Sequence, residues 1–144
     1  MTPQSRRLAG ILLVVLPTVE IGGVSILSLL INDPNYMENK LRQDLWRAGH
    51  AHAGVLLILS LVAIRYVDEA ALTDRAKGVV RHAIPASAIL LPVAFFFSVL
   101  SPDATQPNNA IYLAYAGAVV LAIGLIILGV GLIRSRSESS SRPG

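Results

Sequence analysis

Two histidines stand one residue apart at the start of an apolar run, in the segment RAGHAHAGVLLILS at residues 47–60. A neutral imidazole is a ligand for transition metals and haem iron, and it titrates near neutral pH. Residues two apart in a regular helix point about 200° apart, so His50 and His52 share a side only in an extended segment. We expect a helix with one histidine turned inward and the other at the membrane interface. His52 is the deeper residue and the candidate for the inward position.

A single carboxylate, Glu20, lies near the centre of another apolar run, at residues 8–31. A charge at the middle of a membrane-spanning helix costs roughly 3 kcal/mol, so Glu20 is expected to be protonated or partnered. If consecutive helices pack as neighbours, the sequence predicts a contact between Glu20 and His52, direct or through water. The alternative is a neutral glutamic acid that hydrogen-bonds to another helix and only stabilises assembly.

The tyrosines and the third histidine of the sequence also bear on such a site. Tyr112 and Tyr115 are spaced to face the same region, although tyrosines near span ends are ordinarily interface anchors. His82 begins the third apolar run at the opposite end, so one copy of the chain does not supply two imidazoles at one depth on different helices for a haem. The sequence thus predicts no catalytic residue but a site for a transition metal or haem, with cofactor-binding candidates Glu20, His50, His52 and Tyr115, of which the metal candidates are His52, His50 and Glu20.

The apolar composition indicates which structural elements position these residues. Hydrophobic residues make up 53% of the 144 residues and the mean hydropathy is +0.61, values typical of membrane proteins. A hydrocarbon layer of ~30 Å needs about 20 helical residues to cross, and four runs approach that length. We therefore predict an all-α bundle of four transmembrane helices within residues 1–134, at about 8–31, 47–66, 83–100 and 110–133, followed by a disordered Ser/Arg-rich tail at 135–144.

The basic residues predict the orientation of these spans. With the amino terminus inside, nine of the twelve lie in inner segments, and only Lys40, Arg42 and Arg47 lie in outer ones. Both termini are then expected in the cytoplasm, with the chain in the cell inner (plasma) membrane. The arginines lie at span ends and form no stripe, so no nucleic-acid partner is predicted. Cysteine is absent, which excludes disulfides, thiolate metal sites and cysteine nucleophiles.

Two periodic patterns suggest how the helices extend and pack. Met37, Leu41 and Leu45 recur at helical spacing, which favours either an interfacial helix anchored by Trp46 or an extension of the second span. In the fourth span small residues recur every seven positions, at Ala110, Gly117, Gly124 and Gly131. This seam predicts close helix packing, and we expect oligomerisation through it.

The motif HAHAG, at residues 50–54, resembles small four-span bacterial membrane proteins that carry an HxH at the start of the second span. It is also similar to the early histidine-bearing span of haem–copper oxidase catalytic subunits, a resemblance that implies haem binding at His52. Four spans with a carboxylate in the first resemble small multidrug exporters, in which that carboxylate exchanges protons for cationic drugs within a dimer. Here Glu20 is the matching position.

Three functions are therefore open at the level of sequence. The favoured hypothesis is binding of a transition metal or haem, with imidazole as ligand and Glu20 supplying charge or a proton. The second is a proton-coupled small-molecule exporter, and the third is an accessory subunit of a larger membrane complex, whose polar groups only hold helices together. The expected protein partner is another copy of the chain, in a homo-oligomer, or a larger membrane complex. Soluble catalysis has no support, because no nucleophile–base pair or phosphate-binding loop is present.

Overall fold

The computed structural model describes residues 1–140, with side chains described as far as Ser135, and this part of the chain is helical without strands. The helices are α1 (Pro3–Asn32), α2 (Pro34–Glu38), α3 (Lys40–Val67), α4 (Asp74–Ser98) and α5 (Tyr112–Ser140), with a 3-10 turn at Asn109–Ile111 before α5. The helices α1, α3, α4 and α5 are long and apolar enough to cross a bilayer. The prediction of an all-α chain with four long apolar helices is confirmed.

Side-chain caps determine where most of the helices begin. Thr2 caps α1 and is followed by proline, which is favoured in the first turn because its missing N–H needs no partner there. Asp33 ends α1 and accepts hydrogen bonds from the first backbone amides of α2, so the chain turns sharply at that residue. Asn39 caps α3 and Thr73 caps α4 in the same way.

The helix α4 lies at the centre of the fold. The helices α3 and α5 pack along its two sides, and α1 packs mainly on α3. One half of the core joins α1, α3 and α4 through residues such as Leu12, Leu57 and Leu91. The other half joins α3, α4 and α5 around Ile84 and Leu128. As a result α1 is the long helix with the most exposed surface.

The observed helices are longer than the predicted spans. The segment before the second span was predicted to be either an interfacial helix or an extension of that span. From Lys40 onward it is an extension, because it belongs to α3, while Met37 belongs to the separate helix α2. The predicted tail at 135–144 begins within α5, and its last part, 141–144, lies outside the described residues.

The small-residue seam of α5 is confirmed as a packing face. A Cβ at Gly124 would lie 2.9 Å from Cγ1 of Ile84, and one at Gly117 would lie 3.0 Å from Cγ of Leu91, both on α4. At Gly131 the neighbour is Leu72, in the connection before α4. The expectation of oligomerisation through this seam is wrong, because α4 and Leu72 already cover it within the chain.

Candidate functional site

The predicted histidine pair lies on one continuous helix, so the two rings point to different sides of α3. His50 is half-buried against α1, where a Cβ at Gly23 would lie 2.9 Å from Cε1 and 3.0 Å from Nε2 of its ring. His52 is exposed, and its ring centroid lies 5.1 Å from that of Phe95 on α4. One histidine does turn inward, as expected, but the expectation that it is His52 is wrong. It is His50.

The packing of α1 on α3 explains this reversal. Gly54, four residues after His50 and therefore on the same face, faces Val19 of α1, to which an added Cβ would lie 3.6 Å away. The glycines at positions 22 and 23 leave space on α1 for the imidazole. Which histidine faces inward is thus determined by the side of α3 that meets α1, which depth alone does not specify.

The two rings also differ in hydrogen bonding. Nδ1 of His52 lies 2.7 Å from the carbonyl oxygen of Ala48. Because a carbonyl only accepts, Nδ1 carries the proton and the neutral ring keeps a free lone pair on Nε2. His82 repeats this arrangement with Gly78 at the other end of the molecule, at 2.8 Å. His50 makes no hydrogen bond with any residue that the structure describes.

Glu20 is exposed and has no hydrogen bond or ion pair within the described part of the chain. It lies three residues before Gly23, beside the contact with His50. The predicted contact between Glu20 and His52 is therefore wrong, since His52 lies on another flank of α3. Tyr115 is exposed and stacks on Tyr112, with 6.2 Å between ring centroids.

The four predicted site residues thus do not converge within one copy of the chain. Among the described residues, no group of three or more histidine, cysteine, aspartate or glutamate side chains is placed to hold a metal ion. The predicted ligands remain individual candidates on separate surfaces.

A buried ion pair that the sequence reasoning missed joins three helices. Nη2 of Arg81 on α4 lies 2.6 Å from Oδ1 of Asp68, which caps the end of α3, and the two side chains are only 9% and 11% exposed. The backbone N–H of Thr2 donates to Oδ2 of Asp68 at 2.7 Å, and the Ser5 hydroxyl donates to Oδ1 at 3.0 Å. We call Thr2, Ser5, Asp68 and Arg81 the ionic cluster, and the end of the molecule where it lies the basic end.

The ionic cluster changes the acidity of Asp68. Burial by itself would raise the pKa of this carboxyl, but hydrogen bonds from the Thr2 backbone, Arg81, Ser5 and the Thr2 hydroxyl outweigh it and lower the pKa from 3.8 to about 2. The ionised carboxylate therefore holds the start of α1 against α3 and α4.

A second buried cation lies at the opposite end. Nε of Arg42 donates to the carbonyl oxygen of Val99, just after α4, at 3.1 Å, which places a positive charge at the negative end of that helix. The guanidinium lies 4.8 Å from the centroid of Trp46 and 5.8 Å from that of Tyr36. The Tyr36 hydroxyl and the Trp46 indole N–H are buried without a hydrogen-bond partner in the described chain.

The sequence contained a signal for part of these features. Arg42 and Trp46 are four residues apart on one helical face, and Thr2-Pro3 with Ser5 is a typical helix start. From the sequence alone, Arg42 and Arg81 indicate only the orientation of the chain.

These features define the class of protein. It is a helical chain with four apolar helices long enough to cross a membrane, and a buried arginine links its helices near each end. No protein-family model matches the sequence, and no curated protein or solved structure matches the chain.

Proposed function

We propose that the chain is a multi-pass membrane protein that acts as an assembly subunit, with an outward face of α1 packed on a membrane-spanning helix of another chain. The observation that carries this proposal is Glu20, which is exposed on the most uncovered of the long helices and bonds to no described residue. In hydrocarbon an unpartnered carboxylate at mid-helix costs roughly 3 kcal/mol, and a polar partner on a neighbouring helix reduces that cost.

The residues that share a face with Glu20 fit this role. They follow α-helical spacing, so they form one stripe, and each is exposed: Leu13, Val24, Leu27 and Ile31. Apolar side chains on both sides of Glu20 allow close contact with a second helix, while the carboxyl group supplies one specific hydrogen bond. The partner is either a second copy or a subunit of a larger complex, and the mass of a crosslinked adduct distinguishes the two.

The proposed location follows from the charges. Nine of the twelve basic residues belong to segments at the basic end and the chain termini. The excess of arginine and lysine on cytoplasmic segments supports both termini inside and insertion in the cell inner membrane.

Site-specific crosslinking tests the assembly proposal directly, because the natural chain has no cysteine. A photoreactive group on Val24→Cys, on the Glu20 face, is expected to crosslink α1 to its partner in native membranes. The mass of the adduct identifies a second copy or a different chain. Adding Glu20→Leu should weaken association roughly 5- to 30-fold, the equivalent of about 1–2 kcal/mol for an interhelical hydrogen bond.

Thr18→Cys is the matched control, since Thr18 is exposed on the opposite side of α1. Equal crosslinking from positions 18 and 24, or an unchanged yield with Glu20→Leu, would contradict the proposal. The exporter interpretation stays a prediction that shares this requirement, since its carboxylate works within a dimer.

His52 supports a second candidate function, binding of haem or a transition metal. Its Nδ1 is held by a backbone carbonyl and its ring is exposed, as in many metal-ligating histidines. Because one copy presents one such ring at this depth, a second axial ligand would come from another chain. This candidate does not involve Glu20.

Purified protein is expected to show a haem spectrum on reduction, or bound metal by elemental analysis, and His52→Ala should abolish it. His82→Ala is the control, because His82 has the same hydrogen-bonding arrangement at the other end. Protein that contains neither ligand and takes up neither added haem nor added zinc would reject this function, as would full binding by His52→Ala.

A further inference from the structure

An open groove of about 490 Å³ lies between α1 and α4 at the basic end. It is independent of the Glu20 face and of His52. Its lining combines positively charged and apolar groups, with no acidic residue, and includes Arg7, Leu8, Ile11, Gly78, Arg81 and His82.

The two arginines of this groove differ in whether an acidic side chain neutralises their charge. The charge of Arg81 is balanced by Asp68, with which it forms a buried ion pair. Arg7 is exposed and has no ion pair or hydrogen bond within the described residues. His82 adds a ring whose Nε2 is free, because Nδ1 is bonded to the Gly78 carbonyl. Arg7 is therefore the uncompensated cation, and the groove favours an anion.

The apolar lining indicates what kind of anion fits. Leu8 is half-buried and Ile11 is half-exposed, and they line the same groove as the guanidinium of Arg7 along α1. A groove whose lining combines cationic and apolar groups is suited to an amphiphile. Basic pockets between membrane helices near one surface are typical sites for anionic lipid headgroups.

We propose that this groove binds an anionic phospholipid, with its phosphate group at Arg7 and its acyl chain along Leu8 and Ile11. The bound lipid would lie beside the ionic cluster and fill the space between α1 and α4. Arg7 directly precedes the apolar run at residues 8–31, so the groove lies near the membrane surface, where lipid phosphates are found, when the basic end faces the cytoplasmic leaflet.

Native mass spectrometry of the full chain, with phosphatidylglycerol or phosphatidylcholine of matched acyl chains, tests the proposal. Phosphatidylglycerol is expected to bind preferentially, and Arg7→Ala should weaken its binding about fivefold, as expected for one basic residue near a membrane surface. Arg6→Ala removes the same charge from the neighbouring residue outside the groove and should retain binding. An equal loss in both variants would show general attraction and overturn the site.

A second pair of variants fills space without changing charge. A side chain at Gly78 would enter the open groove, since no heavy atom lies within 4 Å of a Cβ there. Gly78→Leu is expected to reduce lipid binding, whereas Gly10→Leu, at an equally open position outside the groove, should not. Normal binding by Gly78→Leu would overturn the proposal, and so would displacement of the lipid by equimolar inorganic phosphate or occupation of the groove by a second copy.

Discussion

Replacement of Asp68 by alanine is expected to lower the free energy of unfolding by about 3–5 kcal/mol, the usual cost of removing one partner from a buried ion pair. The buried Arg81 would keep its charge without a carboxylate, and the Thr2 N–H would lose its acceptor. The effect should therefore extend to the start of α1. Denaturant unfolding of the purified chain in micelles, followed by circular dichroism, measures it.

Glu69→Ala provides the matched control for this prediction. Glu69 follows Asp68 in the chain and pairs with Arg65, but both of those side chains are half-exposed. Exposed pairs contribute about 0–1 kcal/mol, so this variant should be nearly neutral. The double change Asp68→Leu with Arg81→Met removes both charges and should recover most of the loss. Equal destabilisation by Glu69→Ala would contradict the special role of the ionic cluster.

The same cluster predicts the direction of the pH dependence. The pKa of Asp68 is lowered to about 2 in the folded chain, below its ordinary value of 3.8. Its contribution to stability is therefore complete above about pH 4 and is lost as the pH falls towards 2. Unfolding of the natural chain should show this acid-dependent loss, and that of Asp68→Ala should lack it.

Gly124→Leu is expected to destabilise the packing of α5 on α4 by about 3 kcal/mol, at the upper end of the usual cost of overpacking. A Cβ there would lie 2.9 Å from Cγ1 of Ile84 and 3.2 Å from Cβ of Ala83. Both neighbours belong to α4, so a leucine fits only if the two helices separate. Thermal unfolding in detergent measures the change.

Gly129→Leu on the same helix is the control, because no heavy atom lies within 4 Å of a Cβ at that position. It should leave the unfolding temperature unchanged or raise it slightly, since leucine favours the helix more than glycine does. Equal effects at positions 124 and 129 would show that the seam of α5 does not require small residues.

Composition predicted the four long apolar helices of this fold, because they depend on local chemistry. These helices follow from the length of the apolar runs. The spacing of Gly117, Gly124 and Gly131 predicted a packing face. The spacing does not indicate which helix packs on that face, however. In the structure the face packs on the preceding helix, α4, within the same chain.

The site was predicted less well because it depends on which helix faces meet. His50 and His52 are almost equivalent in sequence, and only the docking of α1 onto α3 makes His50 the inward ring. Asp68 and Arg81 are each part of a charged connecting region in the sequence. Their burial depends on Thr2 and Ser5, more than sixty residues away, and no local pattern records such a pairing.

The ionic cluster also has a consequence for the order in which the protein assembles during synthesis. The helix α1 leaves the ribosome first, yet Asp68 and Arg81, to which its first residues bond, are added only after α3 and at the start of α4. The start of the first helix thus bonds to residues that are synthesised much later, first Asp68 and then Arg81. A nascent chain from which Asp68 but not yet Arg81 has left the ribosome should hold the start of α1 less firmly than one from which both residues have emerged.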